Sequence, residues 1–108
     1  MNTKHIIAAA FAALVATTAA HATDVAVMPN HADGMIVLTD VIGNCLNGAR
    51  QMYSTNGSGA VLLHGCWRAD EPWVFVQYDN ETYIRRYPED NFRLTNAGTA
   101  AAHAAGYY

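Results

Sequence analysis

The sequence predicts a mainly β fold, a small antiparallel sheet or barrel, and three observations carry that expectation. Short runs rich in β-branched and aromatic residues recur at close spacing, at residues 35–39 (MIVLT), 60–67 (AVLLHGCW), 73–78 (WVFVQY) and 82–87 (TYIRRY). Turn-forming clusters separate them, Thr55-Asn56-Gly57-Ser58-Gly59 and Asp79-Asn80 being the clearest. Two cysteines, Cys45 and Cys66, offer a single covalent staple. The stretch 65–92 (GCWRADEPWVFVQYDNETYIRRYPEDNF) holds Cys66, both tryptophans and the best strand pair. Any core has to be built around it.

The first 22 residues do not read as part of that fold. Lys4 precedes an apolar run at 6–16 (IIAAAFAALVA), and Ala20-His21-Ala22 supplies a small-x-small cleavage pattern. That is the layout of a secretory signal peptide. The run is shorter than the roughly 20 apolar residues a spanning helix needs. Cleavage after residue 22 leaves one small domain over 23–95 and an Ala-rich tail over 96–108, expected to be flexible. No later segment is apolar enough to act as a stable membrane anchor, so the expected location is the periplasm or the medium.

Without Lys4 the formal charge of −3 becomes −4, with five arginines against nine acids. Nucleic-acid binding needs several phosphate-neutralising cations, so this balance argues against it. It argues equally against an anionic membrane surface. In an exported chain Cys45 and Cys66 are expected to oxidise, and closing that loop stabilises by about 3 kcal/mol in the chain-entropy model. A redox-active pair or two metal thiolates are the alternatives, and both ordinarily use closer spacing.

In chain order, residues 23–30 contain a short strand (DVAVM) stopped by Pro29, and residues 31–34 form a turn. Residues 35–39 lack polar alternation, which predicts a central strand. Residues 40–48 (DVIGNCLNG) read as a loop or one helical turn presenting Cys45, because Gly43, Asn44, Asn47 and Gly48 oppose a longer helix. Residues 49–54 and 60–67 form a hairpin about Asn56-Gly57, whose residues favour positive φ in a tight turn. Residues 68–72 are a charged connection. A two-residue turn at Asp79-Asn80 sets Val76 opposite Tyr83 and Phe75 opposite Ile84, with a slip of register as the alternative. Pro88 ends that ladder. Residues 88–92 make one helical turn that carries Phe92 into the core, and residues 93–95 add a last short strand. A hairpin, a one-turn helix and a short strand in succession look like the ending of SH3-like barrels, an analogy of fold alone.

Leu38-Thr39-Asp40, Cys45, Gly65-Cys66-Trp67, Tyr78-Asp79, Tyr87-Pro88 and Phe92 together resemble an arrangement shared by small exported two-cysteine proteins of Gram-negative bacteria and their phages. The resemblance covers residues 35–92. It implies an envelope location and a Cys45–Cys66 disulfide, and it brings no activity. Asn80 stands where such proteins usually have Gly, a change the turn tolerates.

Motifs for chemistry are sparse. His64 lies two residues from Cys66 on the same strand face, and a free Cys66 would make a Cys–His nucleophile pair conceivable. His31 with Asp33 is too little for a metal site. Asp70-Glu71 and Glu89-Asp90 read as solvated loop acids rather than a catalytic pair. The sequence shows neither a phosphate loop nor a nucleophile elbow, and it implies no cofactor. Two glycosylation sequons, at Asn56 and Asn80, read as turns.

One feature points to binding. Trp67, Trp73, Tyr78, Tyr83 and Tyr87, with Arg85 or Arg86, are more aromatic and arginine side chains than a small sheet can bury, and interfaces are enriched in these types; a binding face and a core with incidental exposure are the two readings. The expected role is therefore a disulfide-stapled binding module, acting on another envelope protein through an aromatic–arginine face. An inhibitor of a cell-envelope enzyme is the alternative, followed by a small enzyme using His64 and Cys66.

Overall fold

The computed structural model describes residues 24–104; the expected signal peptide, residues 1–22, lies outside the described residues. Seven strands form one antiparallel sheet: β1 (Asp24–Pro29), β2 (Met35–Thr39), β3 (Arg50–Thr55), β4 (Val61–Asp70), β5 (Trp73–Tyr78), β6 (Arg85–Pro88) and β7 (Arg93–Leu94). Their spatial order is β6-β5-β4-β3-β2-β1-β7. The sheet curls into a half-barrel. Each strand from β1 to β6 pairs with the next in sequence, and only β7 returns across the sheet, to β1.

β2 is central, as its unbroken apolar run predicts, and four of its five residues are buried. Asn30 organises the turn before it. Its Oδ1 accepts hydrogen bonds from the N–H groups of Ala32 and Gly34, and its Nδ2 donates to the carbonyls of Met35 and Thr55. That set uses both ends of the amide and ties the β1–β2 turn to the end of β3.

The connection from β2 to β3 contains no helix. Two turns follow one another, closed by Cys45 N–H to Ile42 O at 2.9 Å and Ala49 N–H to Leu46 O at 3.0 Å. Gly43, Asn47 and Gly48 all take positive φ there, which breaks any helical run. Thr39 Oγ1 donates to Gln51 O and accepts from Val41 N–H, anchoring both ends of the excursion. Cys45, carried by this loop, is bonded to Cys66 on β4, with Cα atoms 5.7 Å apart.

Three expectations of register and length are corrected. The β3–β4 turn spans five residues: Asn56 Oδ1 accepts from Ser58 and Ala60 N–H, and the positive φ falls on Gly59 rather than on the Asn56-Gly57 pair. β4 continues to Asp70, so the charged connection shrinks to Glu71-Pro72, with Asp70 opposite Trp73. The β5–β6 ladder sets Val76 opposite Arg85 and Phe75 opposite Arg86, two residues on from the expected pairs. A slip of two keeps every side chain on its expected face, because the pleat repeats every two residues. The intervening loop is long because Glu81, Tyr83 and Arg85 bind one another across it.

After Pro88 a 3-10 turn (Glu89–Asn91) delivers Phe92 into the core at 5% exposure, as expected. The residues after β7 depart from expectation. Instead of a flexible tail, Asn96–Ala104 form a helix, α1, that packs on β1. Thr95 starts it: its hydroxyl accepts from Gly98 N–H and donates to Asp24 O. Ala102 is fully buried, so the small side chains that suggested disorder are what let the helix lie close. The core proper comprises Val25, Leu38, Met52, Trp67, Val74, Val76 and Phe92 with their neighbours.

Candidate functional site

The ladder registers sort the expected binding residues onto different faces. Arg50, Trp67, Val76 and Arg85 stand opposite one another in turn, so they share the inner face of the curl. Trp67 is 2% exposed and its Nε1 donates to Thr39 O at 2.9 Å, so it is a core residue and not part of a surface. Tyr78 is likewise buried on the inner face. Tyr87 is half-buried, its ring meeting Phe92 edge-on with centroids 6.4 Å apart. Three of the six expected residues therefore build the interior.

Trp73 alone of the six lies on the outer face. There it meets Arg86, the alternative to Arg85 in the expected face: the Arg86 guanidinium sits 4.2 Å from the Trp73 ring centroid. Next to it, Arg68 lies 4.7 Å from the Phe75 centroid. Arg68, Phe75 and Arg86 are direct cross-strand neighbours on β4, β5 and β6, so the two stacks form one patch. Among the described residues neither guanidinium forms an ion pair, and each is held over an aromatic face. The period of two along β5 could have found Phe75 beside Trp73. Arg68, and the choice of Arg86 over Arg85, needed the register.

Tyr83 and Arg85 belong to a third place, the rim of the barrel mouth. Arg85 Nε and Nη2 donate to the two carboxylate oxygens of Glu81 at 2.9 and 2.7 Å, and Tyr83 OH donates to Glu81 Oε2 at 2.6 Å. Arg85, and after it Tyr83, hold the Glu81 carboxyl down at about 2. Glu81 in turn raises the Tyr83 phenol and the Arg85 guanidinium above their ordinary values.

Inside this rim the half-barrel opens into a cavity of about 700 Å³, lined by the β1–β2 turn, the β5–β6 loop and the ends of β3 and β4 that face them. Met28, Ile36 and Leu63 supply its apolar wall, and Ser54, Tyr78 and Tyr87 its hydroxyls. Burial first, and then a hydrogen bond with the neighbouring Tyr87, push the Tyr78 phenol up. Ser54 was not singled out from sequence, because a serine in an alternating strand carries no signal until its face is known.

His64 is exposed on the outer face of β4, and Cys66 beside it is consumed by the disulfide. The expected alternative of a Cys–His nucleophile pair needs a thiolate that an oxidised Cys66 does not supply. Among the described residues no three His, Cys, Asp or Glu side chains converge as metal ligands, and no helix is long and apolar enough to cross a membrane. Compared with models of protein families, with curated proteins and with solved structures, the chain matches none.

Proposed function

We propose that this protein is an exported binding module of the cell envelope, periplasmic or secreted, that engages another envelope protein through the outer face of β4, β5 and β6. The observation that supports this reading is the patch of Arg68, Phe75, Arg86 and Trp73, in which two guanidiniums are held over aromatic faces. Aromatic residues and arginines of this kind supply most of the energy at protein interfaces. A planar guanidinium fixed in advance loses little entropy when a carboxylate binds it. The Cys45–Cys66 disulfide suits an oxidising compartment, which supports export. Relative to the expected face, Trp73 is kept, Arg86 is chosen over Arg85, and Phe75 and Arg68 are added.

The test is capture from an envelope extract on the immobilised oxidised protein. Trp73→Ala and Arg86→Gln, separately, are expected to remove most of a captured partner while thermal unfolding stays cooperative. Capture that is unchanged in both variants would refute the outer face as the binding surface.

A further inference from the structure

We infer that the barrel mouth is a second binding site, for a small uncharged molecule with an apolar body and a hydroxyl or carbonyl group at its inner end. The inference does not depend on the outer face. It begins with Ser54, which is 5% exposed, lines the cavity, and makes no hydrogen bond among the described residues. Its oxygen is not among the fully enclosed polar atoms without a partner, so it opens on the cavity, where a ligand oxygen can take the place of water. Its cross-strand neighbours Ile36 and Leu63 place it among apolar groups, so the ligand's polar atom has to reach inward past an apolar wall.

Charge decides the class. Arg85 and Glu81 are the charged side chains lining the mouth, and they neutralise each other through two hydrogen bonds. His31 also lines it, in the exposed β1–β2 turn. The remaining polar side chains lining the cavity are the hydroxyls of Ser54, Tyr78 and Tyr87 and the amides of Asn30 and Asn91, none of which carries a charge. A net charge seated beside them would be buried without a counter-ion, a cost that neutral donors do not offset. An alcohol or carbonyl oxygen, by contrast, matches the donor–acceptor hydroxyl of Ser54. The cavity volume of about 700 Å³ lies within the range typical of small-molecule sites, and its mix of an apolar wall with few polar groups is their usual lining.

The experiment titrates the oxidised protein with an uncharged naphthyl ketone dye whose emission shifts on leaving water, and in parallel with an anionic anilinonaphthalene sulfonate. The ketone is expected to bind saturably and to move the backbone amide resonances of Ser54, Leu63 and Tyr78. The sulfonate is expected to bind at least about tenfold more weakly. Ser54→Ala should weaken ketone binding about fivefold, the effect of one hydrogen bond. Leu63→Trp, which fills the cavity, should abolish it. Should Leu63→Trp fail to fold by thermal melting, Ser54→Ala and the amide map decide the matter. Equal binding of the two dyes, shifts confined to the outer face, no saturable ketone binding, or an unaltered Ser54→Ala would each overturn the inference.

Discussion

Replacing both Cys45 and Cys66 by alanine measures how far a covalent staple substitutes for core in a chain this small. The bonded residues are 21 apart, and closing a loop of that length lowers the entropy of the unfolded chain by an amount equivalent to about 3 kcal/mol. A domain of this size is stable by only about 5–15 kcal/mol in total. For 60–100 residues each kcal/mol moves Tm by about 4–8 °C, so the double variant should melt about 12–24 °C below the oxidised protein. The location of the loss is equally specific. Cys45 lies in the irregular connection between β2 and β3, held otherwise by Gln51 N–H to Val41 O and the Thr39 hydroxyl, whereas Cys66 lies in the middle of the sheet. Amide exchange should therefore accelerate most at residues 42–49, and the β4 amides should lose protection only by the global amount. Paired thermal melts and hydrogen-exchange maps make the test. A Tm change under about 4 °C would refute the loop-entropy reasoning. Uniform acceleration across the sheet would refute the assignment of the loop as the part that depends on the bond.

Three further outcomes test the packing and the electrostatics. Gly98→Ala favours the helix by about 1 kcal/mol on propensity alone. An added Cβ would nonetheless lie 2.0 Å from Val25 O, so the variant should be destabilised in urea unfolding, and stabilisation would show that α1 is not seated on β1. Trp67→Phe removes the indole N–H from Thr39 O and part of a buried ring, and is expected to cost about 2–4 kcal/mol by the same method. A neutral result would mean the ring is not core. The lowered Glu81 carboxyl makes the rim cluster pH-sensitive on the acid side. Because its folded value lies below the ordinary 4.5, the cluster's contribution is complete above that pH and is lost as pH falls towards about 2. Carboxyl NMR of Glu81 follows this directly, and Arg85→Gln should return the midpoint towards 4.5; an unchanged midpoint would assign the shift to something other than Arg85.

Local rules were enough wherever the chain's choice was local. MIVLT and WVFVQY are strands because β-branched and aromatic residues fit a pleated, buried surface, and Pro88 ends a ladder for want of an N–H. The one-turn helix after Pro88 and the return of Phe92 to the core were equally legible. The tail was misread because alanine helices of nine residues are marginal alone. What holds α1 is Thr95 bonded to Asp24 and Gly98 against Val25, contacts some 70 residues distant in sequence that no local pattern announces.

The candidate sites divide the same way. Composition showed an excess of aromatic and arginine side chains, and Cys45 and Cys66 left one intramolecular bond to form. Which aromatics face outward was not in the composition. Trp67 and Trp73 are six residues apart, and a period of two would put them on one face of a continuous strand. The hairpin at Glu71-Pro72 intervenes, and register then sends Trp67 inward to Thr39 O and Trp73 outward to Arg86. The barrel mouth was invisible for a related reason: Ser54, Tyr78 and Arg85 come from three strands, and only the closing of the curl brings them to one cavity. Sequence by itself located the strands, the turn-forming stretches and the staple, because those depend on neighbours along the chain. The tertiary structure alone decided the faces, the helix and the cavity, because cross-strand register sets them.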